Sequence, residues 1–313
     1  MKNKTNLDSY EDIYLKFFNY FKYITLVQKE IIRSELKSKN LFPGEKVSDF
    51  NTLPPGLIFI KEGDLRITTL DSKANIFTVE LINNNNFLGA DILLRGVNGF
   101  AISASTEVKL FILPAQAFFK IILGNYDTLS NFVNLQFREL FSSSLLHKNT
   151  LKPELSISIC NEKDILYWSK EQCLTKRKVT NIFPGFHSKD KFWGDWLISS
   201  CNIKDISPGE IISGPIQFEV VGKLPARLIS VPDTWPPIPL NKSQDNFSNT
   251  QITTNTFNLI NEENSKINDI DLEDWYGPLD KSIAYPHQSG RGIVDETFAC
   301  LRMICRKFDL PFS

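Results

Sequence analysis

Apolar residues recur at helical spacing near the N-terminus, at Ile13, Phe17, Phe18 and Phe21, then at Ile24, Val27, Ile31, Ile32 and Leu36. This period predicts one or two amphipathic helices within residues 10–39, with a Phe-rich face turned to a core. From Leu41 to Pro114 the pattern shortens. Leu57-Ile58-Phe59-Ile60 is a brief apolar run, and Leu65, Ile67 and Thr69 alternate with Arg66 and Thr68, with Gly63 marking the turn between. Short runs divided by Gly, Pro and Asn predict antiparallel strands closed into a barrel or jelly roll, one face buried and one wet. Helical spacing returns from Ala115 to His147, through Phe118, Phe119, Ile121 and Ile122 to Leu140 and Phe141.

Residues 151–238 read as a second, smaller β-containing unit. Ile157-Ser-Ile159, Phe218-Glu-Val-Val221 and Ala226 to Val231 read as strands, and Leu166 to Cys173 as a helix. Ile206-Ser-Pro-Gly-Glu-Ile-Ile212 repeats the earlier Pro43-Gly44-Glu45-Lys46-Val47 signature. The unit is a divergent copy of the first roll or an unrelated α+β insertion. Residues 239–272 are dense in Asn, Ser, Thr, Gln and Glu. That composition buries too little apolar surface to offset backbone ordering, so a disordered linker is expected. A short C-terminal helix follows within 273–313. The fold class is therefore α+β: N-terminal helices over 1–40, a jelly roll with its following helices over 41–147, then the second unit, linker and last helix.

Composition narrows the function classes. The chain has 313 residues, enough for two cores, and its formal net charge is −1. No basic field recruits nucleic acid. No apolar run reaches the roughly 20 residues of a spanning helix, and the N-terminus lacks a secretory core. Five cysteines, scattered and odd in number, do not make a disulfide framework, so a cytoplasmic location is expected. His147, His187 and His287 lack ligand spacing, no metal site is expected, and no phosphate-cradling Gly-x-x-x-x-Gly-Lys loop occurs. Lys176-Arg-Lys178 reads as a solvated basic run, and Trp168, Trp193 and Trp196 as packing of the second unit.

Four pieces stand in a fixed order: Pro43-Gly44-Glu45, Gly56-Leu-Ile-Phe-Ile-Lys-Glu-Gly63, Phe87-Leu88-Gly89 and Leu93-Leu94. In this order residues 10–145 resemble the cyclic-nucleotide-binding domain family, the β-roll of catabolite-activator and kinase-regulatory type. The resemblance implies a pocket in which a Gly-Glu pair opens a short helix and an Arg follows. Backbone N–H groups there hold the cyclic phosphate, the Glu accepts from the ribose hydroxyl, and the Arg pairs with the phosphate. Carried over, the pocket comprises Leu88, Gly89, Ala90, Asp91, Arg95, Gly99, Phe100 and Ala101. Ala90 stands at the carboxylate position and Gly99 at the Arg position, so both charged groups are missing. Burying a phosphate without its cation forfeits roughly several kcal/mol. Asp91 and Arg95, the latter expected in the loop, are the substitutes at hand. A cyclic nucleotide is the one cofactor the resemblance implies, and the loss of both groups argues against its retention.

A second resemblance lies at the C-terminus. Residues 295–304, Asp-Glu-Thr-Phe-Ala-Cys-Leu-Arg-Met-Ile, are similar to the start of C39-type peptidase domains of bacteriocin and toxin exporters. Glu296 falls where that family has its nucleophilic Cys, and Thr297 where it has Gly. A carboxylate cannot form the thioester, so an inactive, truncated start is implied. Cys300 reads as a small buried hydrophobe. Together the two resemblances imply a non-catalytic regulatory or docking module with a degenerate nucleotide pocket. Its implied partner is the membrane and ATPase core of a type I secretion ABC exporter, at the inner face of the plasma membrane. The alternative is a functional cyclic AMP or cyclic GMP sensor of transporter or transcription type.

Overall fold

A computed structural model of the chain describes residues 4–50, 52–71, 74–124, 129, 132, 136–150, 160–174, 179–188, 194–213, 217–231, 235 and 272–277. Two N-terminal helices, α1 (Lys4–Phe21) and α2 (Leu26–Glu35), precede the first strand. Thr25 caps α2 in a reciprocal box with Gln28, whose amide also donates to the Ile121 carbonyl at 2.8 Å. Strand β1 is Lys37–Leu41, so the helices end before the expected boundary at 40. Lys-Ser-Lys-Asn carries no apolar alternation, because four of the five residues of this edge strand face solvent.

The remaining strands of the first unit are β2 (Lys46–Ser48), β3 (Gly56–Glu62), β4 (Leu65–Leu70), β5 (Ile76–Ile82), β6 (Phe87–Leu88), β7 (Ala101–Ala104) and β8 (Val108–Pro114). Helix α3 (Ala90–Arg95) follows β6, and α4 (Ala115–Gly124) follows β8. One sheet has the order β1-β8-β3-β6 and the other β2-β7-β4-β5, all antiparallel. That strand order is a jelly roll. The run at β3 is buried on both faces, not one. Leu57 and Phe59 meet α1, α2 and α4 outside the first sheet, while Ile58 and Ile60 join Ile67, Phe100, Ile102 and Leu110 inside the roll.

Helices α5 (Phe137–Thr150) and α6 (Glu162–Leu174) lie between the two units. Phe141, Ile165 and Leu166 pack into the interior cluster of the roll, and Leu140 and Trp168 pack against Val179, Leu197 and Ile229 of the second unit. The second unit has β9 (Val179–Ile182), β10 (Gly185–Ser188), β11 (Trp196–Ile198), β12 (Ile211–Ile212), β13 (Gln217–Val220) and β14 (Ala226–Ser230). Its sheets run β9-β14-β11-β12 and β10-β13. Strand for strand this is the order β1-β8-β3-β6 and β2-β7, with the β4–β5 hairpin and α3 lacking a counterpart among the described residues.

The expected repeat at 206–212 is corrected by this topology. Pro208-Gly209 joins β11 to β12, with Gly209 N–H on the Ile198 carbonyl at 2.8 Å. The turn equivalent to Leu41-Phe42-Pro43-Gly44 is Ile182-Phe183-Pro184-Gly185, between β9 and β10. Both turns carry a glycine of positive φ, 88° at Gly44 and 128° at Gly185. Trp168 and Trp196 pack at the second unit as expected. Helix α7 (Leu272–Tyr276) falls on the expected start of the C-terminal element but packs back on the rolls. Ile157-Ser-Ile159, Lys176-Arg-Lys178, Trp193 and the C39-like residues 295–304 lie outside the described residues, as does 239–271 of the expected linker. No described helix is long and apolar enough to cross a membrane.

Candidate ligand site and the seam between the units

Strand β6 pairs with β3, Leu88 opposite Ile58, and delivers the chain to Gly89, the N-cap of α3. All six residues of α3 are buried. Leu88, Gly89, Ala90 and Asp91 line a cavity of about 350 Å³ with Tyr20, Phe87, Arg138 and Arg227. Four of the expected site residues thus share one wall.

Asp91 is already engaged. Arg138 reaches it through Nε at 3.2 Å and holds Glu80 through Nη1 at 2.5 Å. Burial works to raise the Asp91 pKa, but Arg138 and Arg95 outweigh it and the carboxyl titrates below its ordinary value. The same two carboxylates raise the Arg138 pKa against the effect of burial. Burial, with Asp91 adding, pushes the Tyr20 phenol up, so it stays a neutral donor.

Arg95 is not in the loop and does not face the cavity. It is the last residue of α3, fully buried, and its guanidinium points into the seam between the units. Nε donates to the Ser199 carbonyl at 3.0 Å, and Nη2 to the Ser142 and Ser143 hydroxyls at 3.1 and 3.4 Å. Burial lowers its pKa, opposed by Glu139 and Asp91.

Gly99, Phe100 and Ala101 do not line the cavity. The Gly99 carbonyl accepts from Thr69 Oγ1 at 2.8 Å, and a Cβ at Gly99 would stand 3.7 Å from Ser142 Oγ of α5. Phe100 is fully buried and its ring stacks on Phe141, centroids 6.2 Å apart. Ala101 pairs with Thr68 in the β4–β7 ladder. Helix α5 therefore lies against Gly99 and Phe100, while Leu88 to Asp91 face the cavity.

The seam holds further groups that the sequence reading passed over. Arg227 forks onto Glu139, Nε to Oε1 at 3.0 Å and Nη2 to Oε2 at 2.8 Å, both residues at most 2% exposed. Its Nη1 donates to the Phe132 carbonyl and Asn181 Oδ1, each at 3.0 Å, and Ser199 Oγ donates to Glu139 at 2.8 Å. Arg95, Arg138 and Arg227 face Glu80, Asp91 and Glu139, so the seam is charge-balanced. The available signal was a charge inside an apolar run: Arg227 in Ala226-Arg-Leu-Ile229, and Arg138-Glu139 between Phe137 and Leu140-Phe141. His147 is buried, with Nδ1 2.7 Å from the Gly209 carbonyl.

The Cys201 thiol is pushed up to about 12, first by burial, which keeps it a protonated, poor nucleophile. Among the described residues no group of His, Cys, Asp and Glu could hold a metal ion.

No family model matches the chain, and no curated protein does. Solved structures similar to it include the regulatory subunit of a cAMP-independent protein kinase A from Trypanosoma brucei, at 19% identity and TM-score 0.32. That match covers 37% of this chain and 43% of the other, so the shared part is under half of the subunit's length. The sensor domain of the transcriptional regulator DNR from Pseudomonas aeruginosa matches at 15% identity and TM-score 0.33, over 38% of this chain and 86% of that one. A putative cAMP-binding regulatory protein from Silicibacter pomeroyi matches at 10% identity and TM-score 0.32, over 40% of this chain and 66% of that one. The jelly-roll topology stands on the strand order of this chain itself.

Proposed function

We propose that this protein is a non-catalytic regulatory or docking module, built on a cyclic-nucleotide-type roll whose pocket has lost both charged ligand groups. The observation that carries the reading is that the two substitute groups are already bonded within the protein, with Phe141 of α5 packed on Phe100 inside the roll beside them. Ala90 and Gly99 supply neither the acceptor nor the cation, and both substitutes are committed, Asp91 to Arg138 and Arg95 to the seam serines. A ligand recruiting either one would have to break buried polar contacts first. Isothermal titration of the full chain with cyclic AMP and cyclic GMP is expected to yield no binding heat up to millimolar ligand. Micromolar binding that disappears in Arg95→Ala would replace this reading with the sensor alternative.

The partner we infer is the membrane and ATPase core of an exporter. Its support is the sequence resemblance at residues 295–304, with Glu296 where a nucleophile would stand. Co-purification of tagged chain with such a core, encoded beside it, tests this; retention of the chain on a column bearing the core is the expected result. Cleavage of a leader peptide by the chain alone would overturn the non-catalytic part.

A further inference from the structure

Helix α7 is one turn long, and residues 236–271 separate it in sequence from Trp235. It nevertheless ends in some of the tightest packing of the molecule. Tyr276 is 1% exposed, its ring edge-on to Phe119 of α4 at 5.9 Å, and its hydroxyl donates to the Leu93 carbonyl of α3. Trp275 lies 5.0 Å from the Phe119 ring, and its carbonyl accepts from Lys223 and Leu224 N–H at 2.9 and 3.1 Å. At the rim Lys223 Nζ stands 2.6 Å from Asp274 and 5.4 Å from the centre of the Trp275 ring.

The receiving surface has the form of a groove. Its walls are the end of α3, Phe119 of α4 and the β13–β14 turn at residues 221–224. Glycine stands where any side chain would block entry. A Cβ at Gly96 would come within 2.7 Å of the Tyr276 ring, and one at Gly222 within 2.5 Å of the Trp275 carbonyl. Two aromatic anchors, a backbone carbonyl held by two N–H groups and a rim ion pair are the elements of peptide recognition. A single helical turn has no stability of its own, so α7 exists only while seated.

We propose that this groove is a binding site for a peptide of the sequence acid-acid-Trp-Tyr-Gly, and that Leu272–Gly277 occupies it in cis as a releasable clasp over α3. This goes beyond the docking reading, since groove and occupant stand whatever partner the chain serves. Release bares the Leu93 carbonyl, the apolar face around Phe119 and the Gly96 end of the helix that walls the cavity.

The test is fluorescence anisotropy with a labelled peptide spanning residues 270–278. It is titrated with the full wild-type chain and with the full-chain variant Trp275→Ala/Tyr276→Ala. The cis occupant competes at the high local concentration of a tethered segment, so the variant is expected to bind the peptide at least about tenfold tighter than wild type. Peptide carrying Tyr276→Phe is expected to bind the variant several-fold more weakly. Equal affinity for both chains, or no binding to a variant whose circular dichroism shows it folded, overturns the proposal. If the variant does not fold, a protease site placed within residues 245–265 of the otherwise wild-type chain decides. After cleavage, saturating peptide is expected to release the C-terminal piece from the body, and retention of that piece overturns the proposal.

Discussion

Glu139 is the residue on which the seam's electrostatics converge. It answers Arg227 directly and raises the Arg95 pKa through space. Glu139→Gln keeps the shape and removes the charge, leaving one buried positive charge in excess. The expected cost is about 3–5 kcal/mol, read from urea unfolding. His147 sets a pH dependence. Burial lowers its folded pKa below 6.5, outweighing the bond to Gly209. Above about 6.5 both states are neutral there, and below it the unfolded state takes a proton that the folded state refuses. Stability is therefore expected to fall as pH drops through 6.5 toward the folded pKa, and His147→Gln should remove that slope in melts at pH 7.5 and 5.5. Asp91 acts lower still. Its folded pKa is depressed, so its contribution is present above about 4 and lost in stronger acid. None of these roles was legible from one residue at a time. Arg95 reads as a loop cation because Gly96 follows it, yet the groups that claim it, Ser142, Ser143 and Ser199, lie 47 or more positions away.

Element by element, legibility followed burial. Strand β4 alternates buried and half-buried residues as its sequence does, and the apolar run of β3 was recognisable as a strand. That β3 is covered on both faces depends on α1, α2 and α4 reaching its outer side, a tertiary fact no local pattern holds. Strand β1 was hidden for the opposite reason, since a polar edge strand has no pattern to read. The contents of the site were half legible. Ala90 and Gly99 announced the missing charges, but that Phe141 would fill the interior could not be read from a helix whose Phe residues fit either core. Phe141→Ala is expected to destabilise the chain by about 3–5 kcal/mol, measured by thermal or urea unfolding. Ile67→Ala, on β4 inside the roll, should cost about 2–5 kcal/mol. Phe141→Ala is expected to speed amide exchange in α5 relative to the rest of the fold.

Across the whole molecule, the chain is a full jelly roll joined to a reduced one of the same strand order, with α5 and α6 packed into both. The Leu/Ile-Phe-Pro-Gly turn repeated at Gly44 and Gly185 is the trace of that correspondence in sequence. It is masked because Pro208-Gly209-Glu210 matches the first turn better in letters while standing elsewhere in the fold. Among the described tryptophans Trp168 and Trp196 pack at the second unit, Trp235 at its junction with the first roll and Trp275 on α7, so indole fluorescence reports chiefly these parts, whereas far-ultraviolet dichroism reports both units. With the seam intact the two signals are expected to change together on denaturation. In Glu139→Gln they should separate, the second unit melting first.

The burial of the Arg227–Glu139 pair between the rolls bears on brine. The Arg227–Glu139 fork is at most 2% exposed, so salt screens it far less than a surface pair as ionic strength climbs from millimolar to molar. The half-exposed pair of Lys223 and Asp274 has no such shelter. Concentrated sodium chloride therefore loosens the rim at Asp274 and leaves the two halves of the body joined.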